Sequence, residues 1–356
     1  MRYVATAAAL AAALLAHDAR AEAPAPTPEK AAVALKPQKF VFSNTAMGTM
    51  VSVFFWAPDE AKARAAADGV FAEMKRLDAV MTTWTETSDV SKVNLAAGKK
   101  PVPVSDETFA VIARAQDTAK RTNGIFDITV GSFKGLWKFD QDMDGTLPDP
   151  AEIKKRLASV GYKYLVLDAK KKTVFIKKAG VSITLGGIAK GFAVDRCADM
   201  LKKQGFANFM IQAGGDMYIA GDKGGIPWVV AIRDPRGATD SHFANAPVKN
   251  HSFSTSGDYE RGFVKDGVRY HHILDPRTGR PAHKSRSVTV RATDAFTADA
   301  WSKVLFILGY DESMKLIKRE KLKDFEVVWI DEKNEVRMTD GMKAVLRIEK
   351  QPTPGT

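Results

Sequence analysis

The first half of the chain alternates short strand-like runs with longer segments of helical spacing. Residues 40–55 alternate apolar and polar positions as a strand does, with an interruption at Met47-Gly48-Thr49. Residues 60–80 carry apolar side chains at helical spacing among Ala, Lys and Glu, and a second helix begins after the candidate N-cap Ser105 and ends near Arg121. A short helix and a hairpin are predicted after these at residues 151–159 and 164–176.

The second half predicts more strands than helices. A strand over residues 181–185 leads into Gly186-Gly187, and an Ala-rich helix follows over residues 192–201. Further strands are predicted at residues 207–219 with a break at 213–216, at 228–232, at 287–291 and in the segment up to about residue 348, with a helix at 296–308. Because helices and strands mix without a regular βαβ repeat, we predict an α+β fold.

The start of the chain has the pattern of a secretory signal peptide. Residues 1–23 contain Arg2, a short apolar run and small residues suited to cleavage, and the run is too short to span a bilayer. We therefore predict an exported, periplasmic location without a membrane span. Residues 24–38 are rich in Ala, Pro and Lys and predict a disordered linker, while residues 39–350 form the folded domain and residues 351–356 a tail.

Charge and cysteine content narrow the possible partners. The formal net charge of +11 suits an anionic ligand, but Lys and Arg are spread along the chain without a basic tract interleaved with aromatic residues. This pattern predicts a solvated basic surface and no nucleic-acid binding. Cys197, the single cysteine, excludes an intrachain disulfide and is predicted to be a buried thiol.

The glycine pair ahead of the second-half helix is a candidate anion site. A strand-to-helix junction leaves backbone N–H groups and the positive end of a helix dipole available, and Lys190 adds a full charge. The spacing is not that of a Walker loop. A phosphate site and an ordinary tight turn are therefore both open from these residues alone.

Two other stretches concentrate functional side chains. Residues 124–139 combine aromatic residues with Asp127, which suits either one wall of a pocket for a planar ligand or a buried turn with Asp127 as a helix cap. Residues 254–261 and 270–280 are polar and turn-rich, and loops of this kind often carry chemistry. His272 lies in the second of them, where it is either catalytic or hydrogen-bonded to Asp275.

Seven motifs, taken together and in order, resemble the FAD:protein FMN transferases, the ApbE family. They cover about residues 40–345 of this chain. The matching stretches are Met47-Gly-Thr, Phe126-Asp-Ile-Thr-Val with Leu136-Trp, Leu185-Gly-Gly-Ile-Ala-Lys-Gly with Ala193-Val-Asp, Ala213-Gly-Gly-Asp, Thr255-Ser-Gly-Asp-Tyr, His272-Ile-Leu-Asp-Pro-Arg-Thr-Gly-Arg and Thr297-Ala-Asp-Ala.

The resemblance implies a two-part α+β fold with FAD in the cleft between the parts. Relatives use Mg²⁺ to split the FAD pyrophosphate, attach FMN to a Thr or Ser of a target protein and release AMP. The resemblance assigns His272 as the catalytic acid or base and Lys190 as a phosphate ligand. Residues carried over to the cofactor are Met47, Trp84, Ile125, Phe126, Asp127, Thr184 and Ile273, and those carried over to the metal site are Gly187, Asp299 and the side chain at position 303.

Two positions depart from the pattern of the family. Thr184 stands where most relatives have Asp, and Lys303 stands where they have Thr. Residues at i and i+4 share a helix face, so Lys303 is predicted to direct its ammonium group towards Asp299 and the metal position. These departures leave two alternatives: a flavin transferase with an altered metal site, and a non-catalytic relative that binds FAD.

A segment resembling a flavin acceptor site is also present. Residues 234–239 are one residue short of the acceptor pattern of the family and lack the hydroxyl before Gly237. We therefore predict an ordinary turn there.

Overall fold

Antiparallel strands form the framework of the computed structural model, which describes residues 36–140 and 142–355. The predicted signal peptide and most of the predicted linker lie outside the described residues. In chain order the strands are β1 (Gln38–Ala46), β2 (Thr49–Ala57), β3 (Val102–Pro103), β4 (Leu165–Asp168), β5 (Thr173–Ile176), β6 (Phe209–Ala213), β7 (Asp216–Ala220), β8 (Trp228–Arg233), β9 (His242–Val248), β10 (His251–Gly257), β11 (Gly262–Lys265), β12 (Val268–His271), β13 (Leu274–Asp275), β14 (Arg280–Pro281), β15 (Ser285–Ala292), β16 (Glu326–Asp331), β17 (Val336–Met338) and β18 (Arg347–Ile348).

Among the described residues, five helices lie where helices were predicted, while those at Asp89–Leu95 and Asp340–Val345 were not predicted, the second falling in a segment predicted as strand. Asp59 and Ser105 cap the first and third helices by accepting hydrogen bonds from Lys62 N and Thr108 N. The helices are α1 (Glu60–Met81), α2 (Asp89–Leu95), α3 (Asp106–Arg121), α4 (Pro150–Leu157), α5 (Ala189–Lys203), α6 (Ala295–Glu320) and α7 (Asp340–Val345). Short 3₁₀ helices cover Ile128–Phe133 and Tyr162–Tyr164.

An eight-stranded sheet lies between two apolar layers. Its strand order is β1-β2-β6-β7-β10-β15-β16-β17 in the part of the chain that the structure describes. Strand β16 shows the alternation: Val327 and Trp329 belong to the core shared with the helices, while Val328 and Ile330 belong to a second core with β8 and β9. The sheet is therefore covered by helices on one face and by the small sheet β18-β9-β8 on the other. This arrangement confirms the α+β class.

Both predicted strand interruptions are hairpin turns. Strands β1 and β2 pair through a turn at Met47 and Gly48, whose φ angles are 52° and 70°. Strands β6 and β7 pair through Gly214 and Gly215. Both turns lie at the same end of the strands, because the start of β2 pairs with the end of β6, from Val51↔Ala213 to Phe55↔Phe209.

The predicted strand at residues 181–185 is wrong. The segment is buried but pairs with no strand among the described residues. Asn94 takes the role of a neighbouring strand, since its Oδ1 accepts from Ile183 N at 2.7 Å and its Nδ2 donates to Ile183 O at 2.9 Å. The 3₁₀ helix supplies another partner through Thr184 N and Ile128 O at 2.9 Å. The backbone is thus satisfied without a ladder.

Two further expectations need correction. Residues 254–257, predicted as loop, form the end of the central strand β10. Helix α6 runs well beyond the predicted end at residue 308 and is kinked at Gly309, where φ is 71° and ψ is 179°. The predicted turn at residues 234–239 is confirmed, because Asp234 Oδ1 accepts from Arg236 N and Gly237 N.

Candidate active site at the start of α5

The first turn of α5 packs directly against α6. A Cβ atom at Gly191 would lie 2.4 Å from Ala295 O and 2.7 Å from Asp299 Cβ, so only glycine allows this approach. Gly191 N donates to Asp299 Oδ2 at 2.9 Å. The Asp299 carboxylate thereby caps the positive end of α5. The glycine motif and Asp299, about a hundred residues apart in sequence, meet at one point.

The amide groups of the glycine turn are mostly used within the protein. Ile188 N and Ala189 N donate to Leu185 O at 2.9 and 2.8 Å. Gly186 N donates to Thr184 Oγ1 at 3.3 Å. The prediction of a cradle of unpaired amides is therefore wrong for these groups. The positive charge of the site comes from lysine side chains instead.

Lys190 projects from α5 onto a buried carboxylate. Its Nζ lies 2.9 Å from Asp216 Oδ2, and Ser254 Oγ donates to Asp216 Oδ1 at 2.6 Å. Burial by itself would raise the pKa of Asp216, but the charges of Lys190 and Lys303 outweigh it and hold that pKa below its ordinary value. Burial opposes the charged form of Lys190, yet Asp216 and Asp299 raise its pKa. Both groups are charged at neutral pH.

Asp299 is fully buried and has a second cationic partner. The ammonium group of Lys303 donates to Asp299 Oδ1, as the i,i+4 spacing predicted, and also to Asp299 O at 3.0 Å. Burial and the charge of Asp216 raise the pKa of Asp299, against the opposing charges of Lys303 and Lys190. Two carboxylates and two lysines thus form a compact charge cluster, Lys190, Asp216, Asp299 and Lys303.

The metal site implied by the resemblance does not fit these residues. Each oxygen of the Asp299 carboxylate already accepts a hydrogen bond, one from Gly191 N and one from the Lys303 ammonium group. Within residues 36–140 and 142–355, no three His, Cys, Asp or Glu side chains are arranged to hold a metal ion. A protonated lysine cannot coordinate Mg²⁺, and its charge repels a divalent ion.

The Lys303 side chain also contacts the glycine turn. A Cβ atom at Gly187 would lie 3.3 Å from Lys303 Cδ and 3.9 Å from Phe126 Cε2. Gly187, Phe126 and Lys303 are therefore close neighbours. The structure brings these predicted cofactor and metal residues together with Lys190 and Asp299.

His272 approaches from the segment after β12. Its backbone N and its Nδ1 lie 3.1 and 3.3 Å from Arg261 O. The alternative that His272 bonds to Asp275 is wrong, because Arg277 occupies that carboxylate through contacts of 2.9 and 2.7 Å. Burial lowers the pKa of His272 well below its ordinary value, and the charges of Arg261 and Lys303 add to the effect. The imidazole is neutral at neutral pH and can accept a proton.

The other predicted cofactor residues are spread over several elements. Met47 lies in the β1–β2 turn, which adjoins the turn that leads to Asp216, since Gly214 N donates to Met50 O at 3.1 Å. Ile125, Phe126 and Ile273 are buried. Trp84 is 79% exposed on a loop, where Lys134 Nζ lies 5.0 Å from its ring centroid.

Asp127 serves as a helix cap, as one of its two predicted alternatives had it. Its Oδ1 accepts from Thr129 N at 2.8 Å and from Thr129 Oγ1 at 2.6 Å, and its Oδ2 accepts from Tyr162 N at 2.6 Å. Burial raises its pKa, although these hydrogen bonds oppose the rise. The carboxylate is therefore committed to holding the 3₁₀ helix and the next segment together.

Two residues of the site, Asp216 and Ser302, were given no role in the sequence analysis. Asp216 was quoted only as the last residue of the motif Ala213-Gly-Gly-Asp, and its pairing with Lys190 was not predicted. Ser302 Oγ donates to Asp299 O at 2.9 Å and lies 2.7 Å from Ser256 Oγ. Ser302 immediately precedes Lys303 on α6, but isolated serines give no sequence pattern that would identify them.

A sequence model described as the ApbE family matches residues 47–329. The match spans most of the chain and includes the glycine turn, Asp216, His272 and the Asp299–Lys303 turn of α6. The chain belongs to the ApbE family.

Curated ApbE relatives carry the name FAD:protein FMN transferase. The chain is 30% identical over 298 residues to one from Klebsiella pneumoniae (strain 342), which covers 83% of this chain and 90% of that protein. It is 33% identical over 273 residues to one from Treponema pallidum (strain Nichols), covering 72% and 75%.

Solved ApbE structures share the fold. The ApbE protein of Thermotoga maritima superposes with a TM-score of 0.78 at 36% identity, covering 86% of this chain and 99% of that one. The flavin transferase ApbE of Vibrio cholerae superposes with a TM-score of 0.77 at 27% identity, covering 87% and 99%.

Proposed function

We propose that the protein is a FAD:protein FMN transferase. The observation that carries this proposal is the convergence of Lys190, Asp216, Asp299 and Lys303 on the glycine turn, in a chain of the ApbE family. Two lysines beside one turn suit a diphosphate, which carries negative charge on both phosphoryl groups. A neutral histidine nearby suits the deprotonation of an acceptor hydroxyl.

The transfer balances with the groups present. The acceptor Thr or Ser hydroxyl oxygen forms a bond to the FMN phosphorus, and the bond from that phosphorus to the bridging oxygen breaks. AMP leaves with the electron pair of that bond, and the hydroxyl proton passes to His272. Lys190 and Lys303 orient the diphosphate through their ammonium groups, and positioning is one of the main demands in phosphoryl transfer.

The flavin ring system is expected to lie against apolar groups near the glycine turn. Phe126 adjoins Gly187, and Met47 lies in the turn next to the one that leads to Asp216. Ile125, Ile273, Thr184 and Trp84 complete the set that we propose for FAD. Asp127 supports this wall by fixing the backbone beside Phe126.

Magnesium is the metal that the resemblance implies. Because the residues around Asp299 do not fit a divalent ion, no step of the proposed transfer passes through one.

The acceptor is a protein with a Thr or Ser available for flavinylation. We further propose that the mature protein works in the periplasm or another exported compartment, supported by the signal-peptide pattern of residues 1–23. In the described part of the chain, no helix is long and apolar enough to cross a membrane.

The decisive experiment incubates the purified mature protein with FAD and a Thr-containing acceptor peptide. Mass spectrometry of the peptide and chromatography of the nucleotides should show an FMN adduct and an equal amount of AMP. A protein that binds FAD without producing either product would be a non-catalytic relative, contrary to the proposal.

A matched pair of histidine variants tests the role of His272. We expect His272→Gln to lower the transfer rate about 100-fold or more, since this is the usual contribution of general acid–base catalysis. His283→Gln, at an exposed histidine in the same part of the chain, should retain the wild-type rate. Equal rates for the two variants would remove His272 from the mechanism.

A further inference from the structure

Lys303 is fixed at the position where a cation is needed. Its Nζ donates to Asp299 Oδ1 and to Asp299 O at 3.0 Å, so it is held by a side chain and by the backbone of the same helical turn. The Lys303 side chain is 19% exposed and that of Asp299 is 0% exposed. An ion pair this well buried is much less screened by solvent than a surface pair.

The glycine turn is shaped around the lysine stem. Lys303 Cδ would lie 3.3 Å from a Cβ atom at Gly187, which is a tight contact. The ammonium group therefore lies where α6, Asp299 and the turn meet. This is the same set of groups, Gly187 and Asp299, to which the family resemblance assigns the metal ion.

Each carboxylate of the cluster already has a lysine partner. Lys190 Nζ lies 2.9 Å from Asp216 Oδ2, and the Lys303 ammonium group pairs with Asp299 Oδ1. A divalent ion at Asp299 would have to displace the Lys303 ammonium group from Oδ1 or lie beside its positive charge, which repels a second cation. The site already contains the cation that Asp299 requires.

We propose that the Lys303 ammonium group takes the place of the divalent cation at Asp299, so that this protein binds the diphosphate of FAD without a divalent metal. The proposal rests on the proposed function, since FAD is the ligand considered. Lys303 is then the residue that determines whether FAD binding requires a divalent metal ion.

The first test uses the wild-type protein and needs no variant. FAD affinity is measured by quenching of flavin fluorescence in EDTA and in Mg²⁺, and Mn²⁺ binding is measured by electron paramagnetic resonance without FAD. We expect the FAD dissociation constant to differ less than two-fold between the two conditions, and no Mn²⁺ site at micromolar concentrations. A stoichiometric Mn²⁺ site, or a ten-fold loss of FAD affinity in EDTA, would overturn the proposal.

The second test compares two lysines of α6. In Lys303→Thr, we expect FAD affinity in EDTA to fall at least ten-fold, with recovery on adding Mn²⁺ and the appearance of one Mn²⁺ site that Asp299→Asn removes. Lys315→Thr is the matched control, because Lys315 pairs with Glu312 on the exposed face of the same helix. Metal-independent FAD binding by Lys303→Thr would overturn the proposal.

The Mn²⁺ measurements separate this proposal from the proposed function. If no protein binds FAD under any condition, the proposed function fails. The gain of a Mn²⁺ site in Lys303→Thr but not in Lys315→Thr would still support Lys303 as the cation substitute, and the absence of such a gain would overturn it.

Discussion

Asp216 shows how strongly the individual residues of this site depend on their partners. Its carboxylate is 3% exposed, and it stays charged because Lys190 and Ser254 satisfy its two oxygens. Buried ion pairs contribute little net stability, but removal of one partner leaves an uncompensated charge. The loss of stability on substituting one partner therefore depends mainly on the buried charge of the partner that remains.

Substitution of Lys190 tests this dependence directly. We expect Lys190→Met to lower the free energy of unfolding by about 3 kcal/mol, because it leaves Asp216 buried without its cation. Lys203 of the same helix is exposed, so we expect Lys203→Met to change the free energy of unfolding by less than about 0.5 kcal/mol. Urea unfolding of both variants measures the difference. Equal stabilities would show that Asp216 is neutral or solvated.

His271 gives a second residue-level prediction, on pH. It is 2% exposed, and its Nε2 lies 2.7 Å from Ala282 O. Burial lowers its pKa from 6.5 to about 4, so the folded state disfavours the charged imidazole. Its contribution to stability is present above pH 6.5 and is lost as the pH falls towards 4, because the unfolded chain takes up the proton first.

We expect the wild type to lose about 3 kcal/mol more of its unfolding free energy between pH 7 and pH 4 than His271→Gln does. Urea unfolding at several pH values gives the two curves. Parallel curves for wild type and His271→Gln would contradict the assignment.

At the same scale, the sequence predicted the site unevenly. The family resemblance placed Lys190 and Asp299 at one site, and the i,i+4 spacing placed Lys303 beside Asp299. The Asp216 partnership could not be predicted, because it depends on the pairing of β7 with β10, which brings Asp216 opposite Ser254. The partner of His272 was also missed, since Arg261 contributes a backbone carbonyl that has no sequence signature.

At the scale of elements, local periodicity predicted helices better than strands. The N-cap Ser105, predicted from sequence, marks the start of α3. Residues 181–185 alternate as a strand does, yet their hydrogen bonds go to Asn94 and to Ile128 and Ser132 of the 3₁₀ helix. Alternation of apolar and polar residues indicates which side chains are buried, but it does not identify the groups that hydrogen-bond to the backbone of the segment.

The kink of α6 is an element-scale feature that can be tested by a pair of glycine variants. Gly309 has φ 71° and ψ 179°, a region that only glycine adopts readily, and an added Cβ would lie 2.9 Å from Lys284 Cβ. We expect Gly309→Ala to lower the unfolding free energy by about 1–3 kcal/mol.

Gly69 provides the matched substitution within α1. An added Cβ there meets nothing within 4 Å, and its φ is not positive. Gly69→Ala should therefore raise the unfolding free energy by about 0.5–1 kcal/mol. Urea unfolding measures both variants, and a stabilised Gly309→Ala would show that α6 can run straight through this position.

At the scale of the whole molecule, the site depends on both faces of the central sheet. Helices α5 and α6 cover one face and carry Lys190, Asp299 and Lys303, while β7 and β10 of the sheet itself carry Asp216 and Ser254. The small sheet β18-β9-β8 supports the opposite face through the second core. Contacts that fix the small sheet therefore hold the strands beneath the charge cluster in place.

The end of the chain makes one of these supporting contacts. Asp234, directly after β8, is 0% exposed, and its Oδ2 accepts from Thr353 Oγ1 at 2.7 Å while its Oδ1 accepts from Thr353 N at 3.1 Å. Lys350 Nζ lies 3.1 Å from the same carboxylate. Burial by itself would raise the pKa of Asp234, but Thr353 and Lys350 hold it below its ordinary value of 3.8.

Removal of residues 353–356 should therefore destabilise the protein, since it takes the Thr353 contacts from a buried carboxylate. We expect the unfolding free energy to fall by about 2–3 kcal/mol at pH 7, against less than about 0.5 kcal/mol for removal of residues 354–356 alone. Because the folded pKa is lowered, the difference should be full above pH 3.8 and shrink as the pH falls below it. Urea unfolding of the two truncated proteins at pH 7 and pH 3 measures this effect, and identical stabilities at pH 7 would show that the chain end does not support the small sheet.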